Sequence, residues 1–284
     1  MNEYEKTGYL NTNFKMFHLT DTKKKEFSYH YHDFNKILIF LSGDVTYTIE
    51  GRSYDLKPND VVFVNAGEVH RPVIHSDAAY ERIIIYVSPD FLQSYQSENT
   101  DLNLCFKKAH EEQSHVLRVN SFGTRKLGSV TNELEHSLHD TDYANELYHT
   151  LLFLEFMIQL NRAAIHDNIH YISNSSSNEK VLAILDYLNS HLTEEITIDF
   201  LAKHFYLSRY YLMHTFKEET GYTIGSYLST KRLLLAKDFI RNGMPITQAC
   251  FECGFKNYST FSRAYKKCFG ESPRDLHAKD TPPV

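Results

Sequence analysis

Between residues 27 and 87 the apolar and β-branched residues come in short runs, 36–41, 45–50, 61–65 and 82–87. Turn-forming clusters separate them: Ser42-Gly43-Asp44, Glu50-Gly51-Arg52, Lys57-Pro58-Asn59-Asp60 and Asn65-Ala66-Gly67. Strands this short and this evenly spaced predict a small antiparallel barrel or jelly roll. Residues before about 26 read as a polar segment. Over 124–165 the period changes to that of a helix. Leu127, Val130, Leu134 and Leu138 make one apolar stripe, and Leu147, Leu151, Leu154 and Ile158 make another. The second helix carries Leu152, Phe153, Phe156 and Met157 outside its stripe, so it is buried on more than one side. Either the barrel and the sister helix cover it, or it forms a subunit interface.

The stretch 173–178, Ser-Asn-Ser-Ser-Ser-Asn, has no packing residue and reads as a linker. Domains are therefore expected at 1–172 and 179–284. The second opens with a helix marked by Val181, Ile184, Leu185, Leu188 and Leu192. A helix-turn-helix follows, with Leu201-Ala202 as packing pair, Leu207-Ser208 as turn and a second helix over 209–219 ending at Gly221. Leu212 and Phe216 face its core, which leaves Arg209, Tyr210, Met213, His214 and Lys217 outward. After one long helix over 224–240 the pattern repeats. Ile246, Ala249 and Cys250 share a face, Gly254 breaks the helix, and a second helix restarts near Asn257. Phe261, Ala264, Tyr265 and Cys268 recur at helical spacing, leaving Tyr258, Ser259, Ser262, Arg263 and Lys266 outward. The copies lie about 49 residues apart, from Ser208 to Asn257. Two such units on one connecting helix suit successive major grooves, about 10 bp apart.

Composition changes this picture little. With 284 residues and 42% hydrophobic content the chain is long enough for two cores. A net charge of −6 looks wrong for a nucleic-acid binder until the chain is divided. Residues 1–178 carry 16 Lys+Arg against 24 Asp+Glu, a net of −8, and residues 179–284 carry 14 against 12, a net of +2. Local basic patches must do the electrostatic work. No apolar run is long enough to span a membrane, and the charged N-terminus does not read as a signal peptide, so a cytoplasmic protein is expected. Cys250 and Cys253 form a C-x-x-C without a second pair, which reads as core packing rather than zinc or redox chemistry.

The C-terminal hundred residues resemble the DNA-binding domain of the AraC/XylS family of transcriptional regulators. The positions that carry the resemblance include Leu201-Ala202, Leu207-Ser208, Tyr211-Leu212, Phe216-Lys217, Thr220-Gly221, Arg232, Ala236 and Gly254-Phe255. Phe261-Ser262-Arg263, Tyr265-Lys266-Lys267 and Phe269-Gly270-Glu271-Ser272-Pro273 complete it. Three departures are mild: Tyr206 at a turn position that favours positive φ, Pro245 in place of a Ser or Thr cap, and Cys250 in place of Ala. Residues 30–32, 42–43, 47–51, 56–60 and 67–70 are similar to the cupin sensor domain of the same family.

The resemblance implies an α+β protein, a cupin-like barrel with a helical pair followed by an all-α double helix-turn-helix domain. It implies a sequence-specific transcriptional regulator, an activator, that binds a double-stranded DNA operator, a small-molecule effector and RNA polymerase. A homodimer is expected through the helical pair. Arg209, Lys217, Arg263 and Lys266 would anchor phosphates or guanine edges, with Tyr210, Met213, His214, Tyr258, Ser259 and Thr260 probing bases beside Asn257 and Ser262. His30, His32 and His70 match the histidines of metal-binding cupins, but the Glu position is most nearly filled by Lys36, a cation that repels a divalent metal. The four are expected to line an effector pocket for a sugar or sugar acid, with no metal, cofactor or catalytic residue. The rival readings are a cupin metalloenzyme with a DNA-binding tail and a repressor without effector.

Overall fold

The computed structural model describes residues 5, 6, 8, 10–22, 26–119, 122, 126–165 and 170–280. By compactness the chain divides into one unit of Thr7–Ser28 and Phe34–Ser176, and another of Met1–Lys6, Tyr29–Asp33 and Ser177–Val284.

In the first unit, the strand Asn35–Ser42 organises two antiparallel sheets. Its own sheet runs in the order His170–Tyr171, Val116–Arg118, Asp60–Val64, Asn35–Ser42, Tyr80–Val87 and Phe14–Asp21. The facing sheet contains His70–Ile74, Val45–Ile49 and Arg52–Asp55. Glu50 and Gly51 take left-handed φ of 46° and 75°, the paired conformation that a two-residue hairpin needs to follow strand twist. Alternation along Asn35–Ser42 sorts its side chains. Leu38 and Phe40 join Tyr47, Tyr54, Val62 and Ile84 between the sheets, whereas Ile37 and Ile39 pack outward beneath the helices.

Among the described residues four helices accompany the sheets: α1 (Pro89–Gln93), α2 (Leu104–Glu111), α3 (Lys126–Ser137) and α4 (Asn145–Ile165). Residues 124 and 125 of the expected helical stretch lie outside the described residues. On α4 the sheet takes one of the two apolar faces and leaves the other open. Phe153, Phe156, Met157 and Leu160 are buried against the sheet, and the stripe of Leu147, Leu151 and Ile158 is left 61%, 55% and 40% exposed.

The strand Phe14–Asp21, inside the stretch expected to be a polar segment, pairs with Tyr80–Val87 along its whole length. His18 ties it to α3: its ring meets Glu135 at 2.6 Å through Nδ1 and Glu81 at 2.9 Å through Nε2. Burial pulls the His18 pKa down, and the two carboxylates outweigh burial and raise it. A raised folded-state pKa contributes stability that is complete below the unfolded value of 6.5 and is lost as pH rises through the raised value. Denaturant unfolding on either side of that window should show wild type losing stability as pH rises. His18→Asn should lose less, and equal slopes would show that the two contacts contribute nothing.

The helical unit runs α5 (Glu179–Ser190), α6 (Ile198–His204), α7 (Arg209–Thr220), α8 (Ile224–Arg241), α9 (Ile246–Glu252), α10 (Tyr258–Phe269) and α11 (Pro273–Asp280). Side-chain caps set most of the starts. Asn178, Thr197, Ser208, Thr223 and Asn257 each accept a backbone N–H from the first turn. Pro245 gives α9 no such cap. The stretch 173–178 is not free throughout, because Ser175 donates its N–H and its hydroxyl to the Ser53 carbonyl, at 2.7 and 3.0 Å.

Candidate DNA interface and sensor pocket

Each helix-turn-helix ends its first helix in the same way. Tyr206 and Gly254 take left-handed φ of 54° and 81°, and the next residue donates back to Ala202 or Cys250. Tyr206 bears the strain of a side chain there, fully in solvent. Gly254 has no alternative, since a Cβ would sit 2.8 Å from the Thr193 carbonyl oxygen. The Arg232 guanidinium joins the repeats by donating to the carbonyls of Leu192, Glu194 and Gly254. Cys250 and Cys253 lie in the core of the second repeat, where burial pushes both thiols up, Cys253 to about 12, away from the thiolate that metal or redox chemistry requires.

On α7, Leu212 and Phe216 are buried, and Arg209, Tyr210, Met213, His214 and Lys217 are all exposed. The Tyr210 and His214 rings stack at 5.6 Å, His214 meets Glu218 at 3.2 Å, and Arg209 pairs with Asp199 at 3.0 Å. On α10, Ser259, Thr260, Arg263 and Lys266 are exposed. Three expected contact residues have other work. The Asn257 side chain is occupied as helix cap, accepting from Thr260 N at 3.1 Å. Tyr258 is half-buried with its ring 6.1 Å from that of Phe261, and Ser262 is half-buried too. The helical wheel put Tyr258 outward, but a large ring at the first turn folds back over the core edge.

In the barrel, Lys36 shares the inward face of its strand with Leu38 and Phe40 and is 4% exposed. Its Nζ donates to Tyr47 Oη at 2.8 Å and lies 3.4 Å from His70 Nε2. His70 Nδ1 is 2.9 Å from the Glu68 carbonyl, which keeps the hydrogen on Nδ1 and turns the Nε2 lone pair toward Lys36. That lone pair already faces a proton donor. Burial, helped by the Arg82 charge, lowers the Lys36 pKa from 10.5 to about 7. Lys36 and His70, two of the four expected pocket residues, meet in the barrel. His30 and His32, with ring centroids 5.2 Å apart, belong to the segment Tyr29–Asp33 that groups with the helical unit. Sequence reading missed Tyr47 and Arg82. Arg82 is buried over the Tyr80 ring, bonds the Tyr80 carbonyl, and pairs with Asp21 at 2.6 Å.

Two family models match the chain: an AraC-like ligand binding domain over residues 17–123, and a helix-turn-helix domain over residues 201–279. The chain belongs to the AraC family of transcriptional regulators. The relatives with which it aligns over 88% of its length are transcriptional activators, not enzymes. The HTH-type transcriptional activator RhaS of Shigella sonnei (strain Ss046) is 27% identical over 252 residues, covering 88% of this chain and 87% of that one. RhaS of Escherichia coli (strain SMS-3-5 / SECEC) is 28% identical over 254 residues with the same coverage. A crystal structure of ToxT from Vibrio cholerae O395 aligns over 95% of this chain and 99% of its own at 17% identity, with a TM-score of 0.38. In AraC-family terms the matched helix-turn-helix segment holds every exposed residue of α7 and α10 named above, and the matched sensor segment holds Lys36, Tyr47, His70 and Arg82. Among the described residues no helix is long and apolar enough to cross a membrane.

Proposed function

We propose that this AraC-family regulator is a cytoplasmic transcriptional activator that binds its operator as a homodimer through both helix-turn-helix motifs and answers to a small effector held in the barrel. Both the activator role and the two-domain architecture follow its RhaS relatives, with which it aligns over 88% of its length. The observation that carries the DNA reading is the pair of side-chain-capped helices, α7 and α10, each burying one face and presenting polar, aromatic and basic residues on the other. Arg209, Lys217, Arg263 and Lys266 take phosphates or guanine edges, and Tyr210, Met213, His214, Ser259 and Thr260 take bases, Met213 by contact with thymine methyl groups. RNA polymerase is the further partner of an activator bound beside a promoter. The domain division at 173–178 belongs to the same reading, with residues 1–172 sensing and 179–284 binding DNA.

For the effector, the inward amine of Lys36, the Tyr47 hydroxyl and His70 favour a polyhydroxylated ligand that carries a carboxylate. Because the Lys36 pKa sits at about 7, a carboxylate beside it restores the ammonium and draws a proton from solution. Calorimetric titration in two buffers of different ionisation enthalpy should show proton uptake with sugar acids at neutral pH. Neutral sugars should show none, and Lys36→Met should abolish the uptake. Stability also reports on this residue. A depressed folded pKa means the unfolded chain binds the extra proton above about 7, so stability rises with pH from there toward 10.5, and Lys36→Met should flatten that rise. Stoichiometric transition metal in protein purified without chelators would contradict this reading of the pocket.

A further inference from the structure

The helical unit holds a second concavity, apart from the barrel and sharing part of its wall with the proposed base-contacting face of α7. A groove of about 490 Å³ opens between the start of α6, the exposed face of α7 and the first turn of α8. Its size falls within the range of small-molecule sites. Ile196, Ile198, Leu201, Met213, Ile224 and Leu228 give it an apolar lining. The polar side chains of the lining are few: Thr197, Tyr210, His214, Lys217 and Thr223. Lys217 is exposed and without a carboxylate partner among the described residues, while His214 is already paired with Glu218. The first residues of α8, Thr223 to Gly225, also line the groove, so an 18-residue helix turns its positive end toward it. Gly225 leaves the wall open, since a Cβ added there meets nothing within 4 Å.

An apolar trough closed by one unmatched cation and a positive helix end is complementary to a single kind of small ligand, one with a hydrocarbon body and one negative head. We propose that this groove binds an amphipathic monocarboxylate, its tail along Ile196, Ile198, Met213 and Leu228 and its carboxylate on Lys217. A dicarboxylate would leave its second charge over the apolar lining at a desolvation cost, and a neutral lipid would leave Lys217 unmatched. Tyr210, Met213, His214 and Lys217 line the groove as well. Resting on the reading of α7 as a DNA-contacting helix, the ligand and the operator therefore exclude each other, and the site inhibits independently of the barrel.

Titration calorimetry of decanoate and decanol into the full chain tests the site directly. Decanoate should bind wild type about tenfold or more tighter than decanol, the size of one charge-assisted contact. Lys217→Met should bring the two ligands level. Gly225→Leu fills the trough from a helical position with free space and better helix propensity, so its melting temperature should hold while decanoate affinity falls at least about tenfold. No saturable binding, equal binding of the alcohol by wild type, or binding untouched by Gly225→Leu would each overturn the proposal, the last by seating the ligand elsewhere. A second arm measures operator affinity by fluorescence anisotropy with and without decanoate. Loss of affinity in wild type that Gly225→Leu does not show is the expected result. Groove-dependent decanoate binding with unchanged operator affinity would keep the ligand site and contradict the role of α7 in DNA contact.

Discussion

Replacing Leu147 and Leu151 together by Glu is expected to turn a dimer into a folded monomer and to weaken binding to a two-site operator by roughly 10²–10⁴-fold, the gain that linking two binding events supplies. The expectation starts from which face of α4 is already spent. Phe153, Phe156, Met157 and Leu160 fill the core beneath the sheet, so the helix needs no further burial to fold. Leu147, Leu151, Leu154, Ile158 and Ile165 nonetheless follow one another at spacings of four, three, four and seven, the seam of a helix that packs against another helix. Leu147 is 61% exposed, Leu151 55% and Ile165 54%, with Tyr143 and Tyr148 exposed beside them. The proposed homodimer would bury this stripe against the same stripe of a second copy. Because both leucines are exposed, charging them should leave the melting temperature of the monomer close to unchanged, whereas Phe153→Glu, in the core, should not fold. Sedimentation that is the same for wild type and the double variant would place the interface elsewhere.

The second large effect concerns base reading. His214→Ala and Met213→Ala should each cost about 1–3 kcal/mol on the cognate operator and much less on random DNA, as loss of one direct base contact does. Thr260→Ala should do the same through the second motif. Lys266→Ala should weaken cognate and random DNA alike and lower the salt slope by about one, the mark of a phosphate contact. Asn257→Ala is the informative control. Its side chain caps α10, so its effect should be on stability, about 1 kcal/mol, as well as on affinity. Competition binding at two salt concentrations separates these outcomes, and a His214→Ala variant that discriminates sequences like wild type would remove the first motif from base reading.

The helical unit was legible in the sequence because local signals there agree. Ser208 and Asn257 start α7 and α10, Gly221 and Gly270 end them in the left-handed conformation, and the buried positions Leu212, Phe216, Phe261 and Tyr265 repeat at helical spacing. In the barrel the turns were legible and the partners were not. Phe14–Asp21 escaped because it is an edge strand whose His18, Leu19 and Thr20 face solvent, leaving too weak an alternation to register. His70–Ile74 escaped because Pro72 interrupts it, a residue usually foreign to strand interiors. The direction of Lys36 depends on which face of its strand meets the second sheet, a fact of register that no short window of sequence contains. The same holds for α4, where two apolar faces compete and only the sheet decides which is inside. The groove beside α7 draws its lining from three helices and could not be read from any one of them.

In the proposed complex two recognition helices engage one DNA face. Hydroxyl-radical footprinting of the wild-type chain on an operator it binds, with His214→Ala alongside, tests this most directly. The predicted result is protection across two successive major grooves, about one helical turn or 10 bp apart for each protomer, with the half facing α7 lost in the variant. Protection of a single groove, with His214→Ala leaving the same footprint as wild type, would contradict it.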